Sequence, residues 1–288
     1  MTAVPMTATR AARLRRINTA GAIITILTVL GAIFWAFPLY WGVMTSLKPE
    51  QDIVRPGLNM WPEVWTIDAY VHVLLNTMIG TWYLNSLITA GVTTVLVIVM
   101  SGAAGYAISQ LNFPGRKAIW WMILASFMVP VPALIVNHFI LMAEFGLLNS
   151  WLGVVLPQLL APVTVIIYKQ FFDSVPRDFR EAAVMDGATE VQLLFRLYLP
   201  MNWGITTALA IITFIGSWNA FLWPFLAVSS ENMMNVAVGI TQVSNAFGVQ
   251  YARELASAIM AGLPVAVIYL IFQRRVTQAI MLTAGIKG

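Results

Sequence analysis

The chain has 288 residues, 59% of them hydrophobic and 10% charged, with a mean hydropathy of +0.80. Soluble domains carry about 25% charged residues, so this composition excludes a soluble globular protein and indicates an integral membrane protein. The sequence has no cysteine, which excludes disulfides and thiolate metal sites, and the net charge of +4 needs no nucleic-acid partner to explain it.

Six apolar stretches are long enough to cross a bilayer, which takes about 20 residues at about 1.5 Å each in a helix. They cover residues 19–44, 84–108, 118–142, 150–168, 202–228 and 256–273. We therefore predict an all-α integral membrane protein with six transmembrane helices. These form one permease domain over 19–273, flanked by tails at 1–18 and 274–288. An even number of spans places both termini on the same side.

Basic residues indicate the orientation, because lysine and arginine favour the cytoplasmic side of membrane proteins. Thirteen of the 16 fall on the side that holds both termini, and three, Lys48, Arg55 and Arg253, fall on the other. We therefore predict that both tails are cytoplasmic. The polar segment 169–200 then faces the cytoplasm. Segments 48–80 and 229–254 become external loops, and the second is well sized to contact a soluble partner.

The second and third spans contain residues that affect helix packing. Ser101 and Gly105 are four residues apart, a spacing that lets helix backbones touch. Both close packing and a gate would use it, and we favour packing. Pro130 and Pro132 each remove a backbone hydrogen bond from the third span. His138 follows these prolines. It either lines a pathway or donates a hydrogen bond to a backbone carbonyl that has lost its helical partner.

The fifth span is the candidate pore lining. Thr213, Gly216, Asn219 and Trp223 share one broad helical face at about 100° per residue. Polar residues inside a bilayer tend to face a bundle interior or a cavity, so we predict that this face borders the translocation pathway. Hydrogen bonding between helices is the alternative. Asn219 and Trp223, four residues apart just before Pro224, would place an amide beside an aromatic ring, as a sugar site requires.

A charged stretch runs from Pro176 to Pro200 between apolar runs. Pro176 can begin a helix, and Gly187 suits the left-handed conformation that ends one. Thr189 followed by Gln192 has the capping-box pattern for a second helix that runs to Pro200. The sequence therefore predicts two short helices joined at an elbow on the membrane surface. A solvated connecting loop is the alternative.

The spacing within this stretch resembles the EAA signature of ABC importer permeases. Its anchors are Glu181, Ala182, Ala183, Gly187, Leu197, Leu199 and Pro200, with Leu197 where isoleucine is commoner. The rest of the chain is similar to carbohydrate importer permeases, in the group that contains the smaller inner-membrane subunit of maltose transporters. That similarity lies in Ser46–Glu50, Asn85–Ser86, Gly105–Ala107 and Gly285–Gly288.

The resemblance implies a type I ABC importer fold in the bacterial cytoplasmic (inner) membrane. It also implies four kinds of partner: a homologous second permease subunit, an ATPase subunit dimer that binds ATP and Mg, an extracytoplasmic solute-binding protein, and a sugar substrate. The implied function is uptake of a sugar or sugar derivative by alternating access. In that family the elbow docks into the ATPase, which implies the coupling role for Glu181, Ala182, Ala183, Asp186, Gly187 and Pro200.

The sequence shows no pattern for catalysis. It has no G-x-x-x-x-G-K-[ST] nucleotide loop, no Gly-x-Ser-x-Gly elbow and only two histidines. We therefore expect a translocation subunit with no catalytic site, metal or cofactor of its own, powered by a partner chain. A self-contained secondary carrier or channel for a small polar solute is the alternative. Acidic residues are nearly missing from the six spans, whereas an ion-coupled carrier usually keeps some there.

Overall fold

The computed structural model describes residues 19–57, 59–159, 161–243 and 250–283. These residues form α-helices, short 3-10 turns and one π-helical turn, with no strand among them. The α-helices are α1 Thr19–Ser46, α2 Glu50–Ile53, α3 Asp68–Asn76, α4 Ile79–Gln110, α5 Arg116–Phe127, α6 Ile135–Glu144, α7 Trp151–Val155, α8 Pro162–Asp173, α9 Arg177–Met185, α10 Glu190–Gln192, α11 Leu199–Met201, α12 Trp203–Trp218, α13 Leu222–Ala227, α14 Val236–Gly239 and α15 Tyr251–Thr283. The tail predicted at 1–18 and the segment Gly285–Gly288 lie outside the described residues.

Three helices are long and apolar enough to cross a membrane unaided. They are Gly21–Ser46 within α1, the whole of α4, and Tyr251–Gln273 within α15. The window of highest hydropathy in α1 has no buried residue, as expected for a helix that faces lipid. α15 continues to Thr283, so the helix extends past residue 273, where the sixth predicted span ends. Apolar residues resume after Arg275, and they allow the helix to continue.

The other predicted crossings are helix pairs that bend at a short break. α5 meets Val131–Glu144 at 97°, Trp151–Leu159 meets α8 at 50°, and Glu190–Met201 meets α12 at 87°. Pro130 precedes the second helix of the first pair, where its missing N–H does no harm. Six crossings result when each pair counts as one. The predicted all-α membrane fold is confirmed.

The fifth predicted span, 202–228, is not one continuous helix. Residues 219–221 separate α12 from α13. Pro224 explains the break, because a proline ring within a helix collides with the carbonyl four residues before it. That carbonyl belongs to Ala220, and it accepts a hydrogen bond from Asn235 Nδ2 at 2.7 Å instead. The disruption therefore falls one turn earlier than the position of the proline suggested.

α4 is the central helix, packed against α8 on one side and α12 on another. Gly105 allows the contact with α8, because a Cβ there would lie 2.7 Å from Tyr168 Cβ and 3.1 Å from Lys169 N. Ser101, one turn earlier, is buried. The prediction that these small residues serve close helix packing is confirmed.

Part of the segment 229–254, predicted to be an external loop, enters the helix bundle. Asn85 Nδ2 donates to the carbonyls of Asn232 and Met234 at 2.8 and 2.9 Å. The N–H of Val236 donates to Ser86 Oγ at 2.8 Å. Because α4 side chains satisfy these backbone groups, the apolar residues of the segment can pack in the core. Only part of this loop is therefore available to a soluble partner.

Among the described residues, the two larger hydrophobic clusters lie toward opposite ends of α4. The first surrounds Trp82 and Trp218 and includes the buried part of the 229–243 segment. The second surrounds Tyr106 and Phe172 and includes buried residues of the elbow, among them Leu193 and Tyr198. This second cluster supports residues 177–201, which we call the elbow.

Candidate functional site

The first helix of the elbow, α9, begins directly after Pro176, with Asp178 in its first turn. It ends at Met185, and Gly187, two residues later, has the left-handed φ of +81° that the sequence predicted. The N–H of Gly187 donates to Val184 O at 2.9 Å, and the N–H of Ala188 donates to Ala183 O at 3.0 Å. The chain therefore turns sharply enough for a second helix to start two residues later.

The second helix of the elbow begins with the predicted capping box. Thr189 Oγ1 accepts from the N–H of Gln192 at 3.4 Å, and Gln192 Oε1 accepts from the N–H of Thr189 at 2.9 Å. The helix then passes through a π-helical turn at Leu193–Tyr198 and ends at Met201, one residue beyond the predicted end. The π turn was not predicted, and such turns are frequent at functional sites.

The outer face of α9 is exposed and mixes acidic with apolar character. Asp178, Glu181, Ala182 and Met185 follow the spacing of one helical face, and all four are exposed. Met185 is 87% exposed, and within the described residues Glu181 has no ion-pair partner. Such a face is suited to contact another protein.

The remaining predicted coupling residues are divided between exposed and inner positions. Asp186, Gly187 and Pro200 are exposed, whereas Ala183 is half-buried against the cluster beneath the elbow. Asp186 and Ala183 also line a shallow cleft between the two elbow helices. The structure thus brings Glu181, Ala182 and Asp186 onto the outside of one elbow, and places Pro200 on its second helix.

The inner side of the elbow is attached to α4 through one carboxylate. Glu190 accepts a hydrogen bond from the Tyr106 hydroxyl and pairs with Arg180 at 2.6 Å. Burial lowers the pKa of Arg180, but the hydrogen bond with Tyr106 and the charge of Glu190 outweigh it, so its pKa is raised. Arg180 therefore stays charged. This attachment was not predicted, because Tyr106 lies far from the elbow along the chain.

A second attachment lies beside the first. Tyr198 donates from its hydroxyl to Gln110 Oε1 at 2.8 Å, and Gln110 Nε2 donates to Phe172 O at 3.2 Å. The rings of Tyr106 and Tyr198 meet edge to face with centroids 5.0 Å apart. Together these contacts connect the elbow to the ends of both α4 and α8.

The predicted pathway residues lie on two helices and the turn between them. Gly216 and Asn219 are exposed and Thr213 is half-buried near the end of α12. Trp223 belongs to the next helix, where its Nε1 is 3.2 Å from both Gly153 O and Val154 O.

The premise that Asn219 and Trp223 share a helical face is therefore wrong, because the helix ends between them. His138 lies edge to face with Trp223 at 5.9 Å between ring centroids. The role of Thr213, Gly216 and Asn219 in the pathway stays a prediction.

Residues 102–278 match the family described as "Binding-protein-dependent transport system inner membrane component". The chain belongs to this family. It is the membrane-embedded permease component of an ATP-binding-cassette importer, with apolar helices that cross the membrane several times. The resemblance found in the sequence is thereby confirmed at the level of the family.

Individual relatives of this permease match it along most of its length. It is 31% identical over 268 residues to the arabinooligosaccharides transport system permease protein AraQ of Bacillus subtilis, covering 92% of this chain and 95% of AraQ. It is 30% identical over 258 residues to the diacetylchitobiose uptake system permease protein NgcG of Streptomyces coelicolor, covering 88% and 85%.

The fold occurs in solved structures of bacterial importers, one of which matches most of this chain. It is the crystal structure of a bacterial ABC transporter involved in the import of the acidic polysaccharide alginate, matched with a TM-score of 0.82 and 20% identity. The match covers 94% of this permease and 99% of that chain.

Proposed function

We propose that this permease imports a sugar or sugar derivative and is coupled to a separate ATPase through the elbow. The observation that carries the proposal is the exposed face of α9, where Glu181 and Met185 stand on a helix attached to α4. A docking helix must present contacts outward and transmit force inward. The outer face meets the first need, and the Tyr106–Glu190–Arg180 contacts meet the second.

The proposed mechanism is alternating access in a multi-subunit complex. This chain pairs with a homologous permease, and two copies of an ATPase subunit bind ATP and Mg. When ATP closes the ATPase pair, the two docked elbows are drawn together and the cavity opens toward the outside. A solute-binding protein then delivers the sugar, and hydrolysis reverses the movement. This permease contributes no catalytic residue to that cycle.

The location and substrate class are part of the same proposal. The distribution of basic residues supports a cytoplasmic elbow in a bacterial inner membrane. The names of both relatives, which concern arabinooligosaccharides and diacetylchitobiose, support a sugar or sugar derivative as substrate. The ligand of a binding protein encoded beside this chain would define which sugar is carried.

The experiment that tests coupling compares Glu181→Ala with Glu144→Ala in the reconstituted complex. Glu144 is an exposed acid at the end of α6, far from the elbow in the proposed topology, so its loss controls for a change in net charge. We expect Glu181→Ala to abolish most substrate-stimulated ATP hydrolysis while Glu144→Ala leaves it unchanged. Normal stimulation in both variants would remove the coupling role from α9. Uptake by vesicles that lack the ATPase would favour a self-contained carrier.

A further inference from the structure

A basic pocket opens where the chain turns from α4 into α5, beside the end of α8. Its volume is about 650 Å³, and its lining includes Asn112, Phe113, Arg116, Lys117, Trp120 and Lys169. The pocket lies at the same end of the bundle as the elbow. The reason is that α8, which contributes Lys169 to the pocket, leads directly into the elbow. Nothing in the proposed transport mechanism uses these residues.

Arg116 and Lys117 carry positive charge that the described residues do not neutralise. Arg116 donates to the carbonyls of Leu111 at 2.9 Å and Ser109 at 3.3 Å, and to Asn112 Oδ1 at 3.1 Å. All of these acceptors are uncharged. Lys117 is exposed and has neither an ion pair nor a side-chain hydrogen bond within the described residues.

The third cation of the pocket is already paired. Lys169 forms an ion pair with Asp173, and its Nζ lies 5.0 Å from the centre of the Trp120 ring. Asp173 also accepts from Ser109 Oγ at 2.6 Å, so each of its two oxygens already has a partner. The pocket therefore keeps the charges of Arg116 and Lys117. The positive end of the α5 helix dipole adds to them, since both residues stand in its first turn.

The surroundings of the pocket distinguish a lipid from a soluble anion. Beyond the first turn, α5 presents exposed apolar side chains, with Trp121 68% and Met122 61% exposed. Trp120 sits one turn into the helix, and tryptophan favours the level of lipid headgroups. The cationic end of the pocket thus continues into an apolar surface that runs along a membrane helix.

We propose that this pocket binds the headgroup of an anionic phospholipid. Arg116 and Lys117 hold the phosphate by charge-assisted hydrogen bonds, and the acyl chains lie along the apolar surface of α5. Basic pockets between membrane helices are suited to such headgroups. The proposal requires only that the chain spans a membrane, so it does not depend on the transported substrate or on docking of the elbow.

The test measures lipid retention by the purified transport complex with native mass spectrometry. The probes are phosphatidylglycerol and, as the zwitterionic reference, phosphatidylcholine. The main variant is Lys117→Gln, which removes one charge and, among the residues that the structure describes, no ion pair. The control is Arg177→Gln, which removes an exposed charge from the same side of the membrane but outside the pocket.

We expect the wild-type complex to retain phosphatidylglycerol in preference to phosphatidylcholine. Lys117→Gln should weaken that retention about fivefold, as one basic residue near a membrane surface contributes, and Arg177→Gln should leave it unchanged. Arg116→Gln should weaken retention of phosphatidylglycerol further, in complexes where the turn before α5 still folds without the hydrogen bonds from Arg116. Since the Lys117 side chain has no ion pair in the described part of the chain, Lys117→Gln tests the proposal without the second variant.

Two results would overturn the proposal. Equal retention of phosphatidylglycerol by wild type and Lys117→Gln would show that the pocket is not the site, as expected if a partner subunit covers it. Displacement of the lipid by millimolar inorganic phosphate, with equal stabilisation of the complex by phosphate alone, would assign the pocket to a soluble anion instead.

Discussion

The hydroxyl of Tyr106, on the last turns of α4, donates a hydrogen bond to the carboxylate of Glu190, which begins the second helix of the elbow. This contact closes a loop of 84 residues. It attaches the elbow directly to the central helix, α4.

Tyr106→Phe should weaken coupling more than it weakens the fold. The ring keeps its contacts with Phe172 and Tyr198, and Glu190 keeps its pair with Arg180. Because Glu190 is partly exposed and can bind water instead, the loss of stability should be about 1 kcal/mol. We expect fewer substrate molecules transported for each ATP hydrolysed.

Tyr40→Phe is the matched control for that measurement. The Tyr40 hydroxyl donates to Met60 O at 3.1 Å. This contact lies on the predicted external side of the membrane, opposite the elbow. An unchanged ratio of transport to hydrolysis in Tyr106→Phe would contradict the role of this contact in coupling.

Gly187→Val should strain the elbow through its backbone alone. A Cβ at Gly187 would meet nothing within 4 Å, so no side chain opposes the substitution, but the φ of +81° is unfavourable for a β-branched residue. The expected cost is about 1–3 kcal/mol. Gly187→Asn should be milder, because asparagine tolerates this conformation.

The measurement is substrate-stimulated ATPase activity in reconstituted complexes with equal amounts of each variant. The order of activity should be wild type, then asparagine, then valine. Equal activity of the two variants would show that the conformation of this residue does not control docking.

Gly239→Ala should destabilise the opposite end of the molecule. A Cβ at this position would overlap the ring of Trp82, which is 1% exposed and donates from Nε1 to Glu231 O at 2.9 Å. Overpacking of this kind costs about 1–3 kcal/mol. Gly91→Ala, in the middle of α4 with nothing within 4 Å, is the control and should be neutral or stabilising. Thermal unfolding in detergent measures both variants, and an equal midpoint for the two would contradict the packing.

The proposed orientation is tested by single cysteines, since the natural sequence contains none. Glu231→Cys and Met185→Cys both place the thiol at an exposed position, on the external segment and on the elbow respectively. An impermeant maleimide should label the first in intact cells and the second only after the membrane is permeabilised. The reverse pattern would invert the topology.

Asn219→Leu and Trp223→Phe should separate a pathway residue from a packing residue. Asn219 is exposed at the end of α12, so its replacement should reduce uptake or alter sugar preference without changing the amount of assembled complex. Trp223→Phe loses the donor that faces Gly153 O and Val154 O, so it should lower assembly and leave preference unchanged. Both are measured by radiolabelled sugar uptake normalised to purified complex. Normal uptake by Asn219→Leu would remove this residue from the pathway.

Local rules were enough to predict the shape of the elbow. Gly187 and the Thr189–Gln192 capping box act through backbone geometry within a few residues, and that geometry can be read from spacing. The close packing of Gly105 was predictable for the same reason. The break at 219–221 was misplaced because Pro224 acts on a carbonyl one turn earlier, although the rule itself is local.

Contacts between distant segments were not predictable from spacing. Glu190 finds Tyr106 and Asn85 finds Met234 only after the helices are assembled. The polar residues of 229–254 suggested a solvated loop, yet the amide of Asn85 supplies the hydrogen bonds that let part of it enter the core. A single sequence shows which groups need partners, but not which partners they find.

α4 contains no proline, so a single uninterrupted helix connects the attachments at its two ends. Trp82, Asn85 and Ser86 hold the 229–243 segment near one end, and Tyr106 and Gln110 hold the elbow near the other. The two sets of contacts are separated by about 36 Å of helix at a rise of about 1.5 Å for each residue. If this rod tilts about its middle, pushing the elbow one way carries the far segment the other way by a similar distance. Such a tilt would make the two ends of α4 rearrange together, in opposite directions.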